Sequence, residues 1–107
     1  MSMVVGLTER AEGELDAAYM WWAENRSAEQ AARWFNGMAE TIESLVDRPS
    51  QWPLAREDDR ASYELRERHF GVGSNPSHRI LFTIRPELVL VLSIRHVAQQ
   101  DFDPESD

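Results

Sequence analysis

Apolar residues fall at 11, 15, 18, 19 and 22, the spacing of one face of an α-helix, and again at 31, 35, 38, 42 and 45 in steps of four, three, four and three. Thr8 stands where an N-cap belongs, ahead of Glu9 and Glu12 in a first turn whose dipole favours acids, so a first helix is predicted from about Thr8 to about Glu24. Ser27-Ala28-Glu29-Gln30 then has the form of a capping box, and Arg48-Pro49 ends the second periodic run. Two amphipathic helices separated by Asn25 and Arg26 read as a helical hairpin, which needs a sheet against which to bury its stripe.

The remaining pattern supplies that sheet. MVVGL (3–7) suits an opening strand, YELRERHF (63–70) a second, and HRILFTI (78–84) and LVLVLSIRH (88–96) two more. The last two are separated only by Arg85, Pro86 and Glu87, which fits a short hairpin, and are apolar on both faces, so they are expected to be the best-buried strands. Residues 49–62 hold two prolines and mixed charge and read as a loop, with Trp52 between the prolines. GVGSNPS (71–77) is a turn, and the tail after Phe102 is expected to fray. The order β-α-α-β-β-β predicts an α+β fold over residues 1–107 as a single domain, a helical hairpin packed on a small, mainly antiparallel sheet. A chain of this size buries roughly two-thirds of its unfolded surface and needs no disulfide or metal to hold together.

Strict alternation along 88–96 puts His96 on the face of Leu90, Leu92 and Ile94, and Arg95 on the other with Val91 and Ser93. A strand built for burial thus ends on two nitrogen-rich side chains emerging on opposite faces at the lip of the sheet.

Charge narrows the partners. The net charge of −8 argues against nucleic acid, but its distribution is uneven: residues 1–59 carry five Arg and twelve acids, 60–96 six Arg and three acids, and 97–107 four acids and no base. All three histidines, His69, His78 and His96, lie in the middle block, and Lys is absent, as a GC-rich genome or bidentate anion recognition by Arg would each produce. There is no cysteine, no Gly-rich phosphate loop, no His pair at ligand spacing and no acid cluster beside a His, so no cofactor and no metal are expected. The first residues lack the charged start and apolar run of a signal peptide, and no stretch approaches the ~20 apolar residues of a membrane span, so a cytoplasmic protein without a membrane partner is expected.

The segments around Ala11, Leu15, Tyr19, Trp22 and Asn25, the run from Ala32 to Pro49, and "LRERHFG", "HRILFTI" and "VLVLSIRH" together resemble the RelE/ParE superfamily, the toxins of type II toxin–antitoxin modules. The resemblance covers about residues 4–102, and its most specific pieces are Arg66, Arg79 and the terminal Ile94-Arg95-His96. It implies a cognate antitoxin as partner, in a toxin–antitoxin hetero-oligomer, and one of two targets: mRNA in the ribosomal A site for RelE-like members, DNA gyrase for ParE-like members. The acidic composition, the tail VAQQDFDPESD and the ending I-R-H place the chain nearer the ParE branch. The expectation is a gyrase-inhibiting toxin, with a ribosome-dependent mRNA endonuclease, or an inactive relative that keeps only its partner, as alternatives.

RNA cleavage would need a base for the 2′-hydroxyl proton, positive charge on the phosphate and an acid for the leaving oxygen. If the chain is RelE-like, the resemblance makes Arg66, Arg79 and His96 the catalytic candidates, with His78, Glu64 and Glu67 as further proton carriers. Each has a structural reading beside it. Arg79 can pair with an acid, Arg66 and Arg68 can form a cross-strand charge ladder with Glu64 and Glu67, and His96 can cap the core. Trp21, Trp34 and Arg95 are the partner-binding candidates. Trp21 falls off the first helical stripe and Trp34 at the edge of the second, where an exposed aromatic marks a partner surface or a loosely packed rim. Glu9, Glu12, Glu14 and Asp16 read as a solvated acidic face.

Overall fold

The computed structural model describes residues 3–72 and 75–105. In chain order these form β1 (Val4–Leu7), α1 (Glu9–Asn25), α2 (Ala28–Glu43), β2 (Arg66–Phe70), β3 (His78–Arg85) and β4 (Leu88–His96), with three short 3-10 turns between α2 and β2. The strands lie in the order β1-β4-β3-β2, with β1 parallel to β4 and the other two pairings antiparallel. This is the expected α+β architecture. Both helix starts are set by the expected caps: the Thr8 side chain accepts from the Ala11 N–H and the Ser27 side chain from the Gln30 N–H.

Boundaries shift where loops compete for the backbone. α2 ends at Glu43, short of Arg48, because the chain tightens into a 3-10 turn at Ser44–Val46 and then reverses at Arg48, whose φ is 52°. β2 starts at Arg66 rather than 63, because the Leu65 N–H goes to the Asp58 carboxylate and its carbonyl to the Ala55 N–H. The loop, and not the sheet, takes those hydrogen bonds. The turn expected over 71–77 lies in part outside the described residues.

α2 and the 3-10 turn after it carry the helical layer's core: Trp34, Met38 and Ile42 of the helix and Leu45 of the turn meet Ile80, Phe82, Val89, Val91 and Ile94. Gly37 sits mid-helix because β2 approaches closely there; a Cβ at this position would lie 2.8 Å from Phe70 Cζ. On the other side of the sheet a smaller cluster forms from Ala55, Leu65, Leu81 and Phe102. Phe102, the residue from which the tail is expected to fray, is itself packed, since its ring has an apolar socket to enter and is 3% exposed.

A bulge corrects the alternation read along β4. Leu81 pairs with Ser93 but Phe82 with Val91, so Leu92 is the extra residue. Val89 and Val91 face the helices before it, and Ile94 joins the same core after it. His96 thus shares a face with Ile94 but not with Leu90 and Leu92, and Arg95 shares one with Ser93 but not with Val91. Among the described residues no helix is long and apolar enough to cross a membrane.

Candidate functional site

The helix-free face of the sheet centres on Arg79, the residue expected to meet a phosphate. It is 2% exposed, and Glu57 holds it bidentately, with Nη1 to Oε2 at 2.9 Å and Nη2 to Oε1 at 2.7 Å. Glu67 takes a further hydrogen bond from Arg79 Nε at 3.1 Å. The two carboxylates take four of the five N–H donors of this guanidinium and balance its charge, so little is left to draw a third anion. The bonds to Glu57 raise the Arg79 pKa further. Burial alone would raise the Glu57 pKa, but the hydrogen bond from Arg79, with that from the Phe102 N–H, holds it below the ordinary carboxylate value. Glu57 comes from the 49–62 loop, where nothing in the pattern distinguishes it from Asp58 and Asp59.

The other two nuclease candidates are elsewhere. Arg66 lies on the helix side of the sheet opposite Phe82, donating to the carbonyls of Ser50 and Trp52 and to the Glu64 carboxylate at 3.0 Å. His96 pairs with His78, four residues along β3 from Phe82 and two strands away from Arg66, or about 13 Å further along the strand direction. Arg79 points to the opposite face from both. The fold does not bring Arg66, Arg79 and His96 together; Arg66 and Arg68 face Phe82 and Ile80 across the strands rather than acids, Glu64 bonds Arg66 along its own segment, and Glu67 serves Arg79 and His69.

What His96 does line is an open groove of about 590 Å³ between α1 and the end of β4, with Trp21, Trp22, Ala18, Ile94 and His78. Trp21 is 48% exposed and forms its outer wall. Of the three partner-binding candidates only Trp21 keeps that standing. Trp34 is fully buried, packed edge-on against Phe70 and His78, because α2 presents it to the middle of the sheet rather than to the rim. Arg95 is 7% exposed, and two of its nitrogens bond the Gln100 carbonyl, at 3.1 and 2.7 Å.

The floor of the groove is a cross-strand histidine pair, with ring centres 5.5 Å apart. His96 Nδ1 accepts from the Ala98 N–H at 3.1 Å, which assigns its proton to Nε2 in the neutral form. His78 is pushed down to about 4, chiefly by burial and secondarily by His96. A neutral His in the fold means that the unfolded chain takes up its proton first as pH falls. The contribution is complete above about 6.5, is lost between about 6.5 and 4, and amounts to roughly 3 kcal/mol. Urea unfolding at pH 7.5 and pH 5.0 is expected to differ by about 2 kcal/mol for the wild type, and His78→Phe is expected to lose most of that difference; an unchanged difference in the variant would remove His78 as its cause.

Glu14 is the residue that pattern reading misplaced. β1 pairs with β4 only as far as Val91, so the next outward-facing N–H of β4, at Ile94, has no strand partner. Glu14 Oε1 accepts it at 2.9 Å, together with the Ser93 hydroxyl at 2.8 Å, and thereby fastens α1 to the sheet. It is a cap on a strand edge, not part of a solvated acidic face.

Three comparisons bear on this geometry. No curated protein matches the sequence. Among solved structures, the chromosomal ParDE toxin–antitoxin system from P. aeruginosa contains a chain similar in fold, with a TM-score of 0.72 at 19% identity, the match covering 89% of this chain and 96% of that one. A family model described as the ParE toxin of type II toxin–antitoxin systems, parDE, matches residues 5–101. The match runs from within β1 to past the end of β4, and the chain belongs to the ParE toxin family, within the RelE/ParE superfamily.

Proposed function

We propose that this chain is a cytoplasmic bacterial toxin of a type II module that arrests DNA gyrase when its antitoxin is absent, as in a plasmid-stabilisation system. Family membership supports the toxin; the state of Arg79 supports gyrase over mRNA as its target. A phosphate-cleaving site needs an available cation beside a proton carrier. Here the central arginine is neutralised by two glutamates, and Arg66 and His96 lie on the opposite face, far from each other. The antitoxin is placed in the groove walled by Trp21, where an exposed ring borders an apolar cleft of ligand size.

The test is induction in a bacterial host with pulse-labelling of DNA and protein synthesis over the first minutes. DNA synthesis is expected to fail first, purified protein to slow gyrase supercoiling, and the antitoxin encoded beside the gene to restore growth, less well against Trp21→Ala. Protein synthesis failing first would instead make the chain ribosome-directed, and no effect on either would leave a binding protein.

A further inference from the structure

After β4 the chain turns back across the helix-free face without forming a strand or helix of its own. Side chains of the face hold it there. Arg56 and Arg60 each donate to a carboxylate oxygen of Asp101 at 2.7 Å, Arg95 donates to the Gln100 carbonyl, and Glu57 accepts the Phe102 N–H at 2.9 Å. The Phe102 ring enters the socket of Ala55, Leu65 and Leu81, with the Arg10 guanidinium 4.9 Å from its centre. The face therefore reads a carboxylate, an aromatic ring and the backbone between them. Its arginines come from α1, the 49–62 loop and β4, whereas the chain beyond His96 brings four acids and no base.

We infer that this face is a receptor for an acidic–aromatic peptide segment, and that residues 100–103 occupy it as a displaceable strap which a partner protein replaces with a carboxylate–aromatic step of its own. Displacement is feasible because the Asp101 pairs are half exposed, at 41% for Asp101 and 52–53% for the two arginines, where water and salt compete with them. No ladder of strand hydrogen bonds has to be unzipped; opening withdraws one anchored ring and releases the few hydrogen bonds of Gln100, Asp101 and Phe102. The occupant is a peptide rather than a nucleic acid for two reasons. The socket is apolar and sized to one ring, and Glu57 and Glu67 already neutralise the cation beneath it, on a chain whose net charge of −8 repels phosphate backbones.

The experiment uses the full-length chain with Asp101→Ala and Phe102→Ala together, which releases the strap, and a fluorescein-labelled peptide of the chain's own residues 98–105, AQQDFDPE, read by anisotropy. The released variant is expected to bind the peptide saturably, and the wild type about ten-fold or more weaker, because its own strap holds the receptor closed. A peptide with Asn-Ala in place of Asp-Phe is expected not to bind. Should the double variant fail to fold, Asp101→Asn, which keeps the Phe102 anchor, is expected to admit the peptide with intermediate affinity. Absence of binding to a folded variant, equal binding by wild type and variant, or preference for a short single-stranded oligonucleotide over the peptide would each overturn the inference. Neither gyrase nor antitoxin enters the assay, so its failure leaves the toxin reading where it stands.

Discussion

Arg79→Ala is expected to cost about 3–5 kcal/mol of stability, because it strands a buried carboxylate without its counter-charge. At this chain length that is a fall in Tm of roughly 15–30 °C. Glu57 is fully buried, and after the substitution its remaining hydrogen bond would be the one from the Phe102 N–H. Its pKa would then rise, and the deficit of the variant relative to the wild type would be smaller at mildly acid pH than at neutral pH, because the orphaned carboxylate can protonate there. Thermal unfolding of Arg79→Ala, Glu57→Leu and the double variant Arg79→Met/Glu57→Leu checks the argument. The double variant is expected to recover much of the loss, since two apolar side chains leave no unpaired charge in the interior. Single and double variants of equal stability would mean that the pair is not the source of the cost. One practical result follows for toxicity assays: loss of toxicity in Arg79→Ala reports unfolding, and carries no information about catalysis.

The second large effect is expected at Trp34. Truncation to Ala removes a fully buried ring from the centre of the helix–sheet contact and is expected to cost about 3–5 kcal/mol. Trp34→Phe is expected to cost far less than its loss of volume suggests. The Trp34 Nε1 is buried without a hydrogen-bond partner, and an unpaired buried N–H itself carries a penalty of about 1–3 kcal/mol. Phe keeps an aromatic edge against Phe70 and His78 while removing that donor. Urea midpoints for the two variants separate the contributions: a Phe variant as unstable as the Ala variant would show that the indole, orphan donor included, is fitted to its site in a way that ring burial alone does not describe.

These two residues also show where sequence patterning was informative and where it was not. Helices were legible because their signals are local: Thr8 and Ser27 cap where an oxygen-bearing side chain precedes a periodic run, and the apolar stripe of α2 is the stripe that is buried. Strand existence was legible in β3 and β4 for the same reason. Facing was not. In a run as apolar as LVLVLSI either face can be core, and no side chain announces the bulge at Leu92 that reverses the alternation. Burial of charge was the other blind spot. Arg79 and Glu57 are 22 positions apart, and pairing them needs the loop, the sheet and the tail together, whereas composition presents both as surface residues. The pattern puts Trp34 at the rim because it sits one step off the ideal stripe, and the ring is large enough to reach inward from there. Trp21, one position before Trp22 on α1, does remain outside.

Glu14 has a consequence for the life of the protein in a crowded solution. A strand as greasy as β4, left half uncovered where β1 ends, would ordinarily invite another chain to add itself along the open side and begin a polymer. The Ile94 donor that such a chain would need is already taken by a carboxylate, which Arg10 and Arg95 in turn hold in place. One acidic side chain on the first helix thus guards, against the addition of another chain, the stretch of β4 that β1 leaves uncovered.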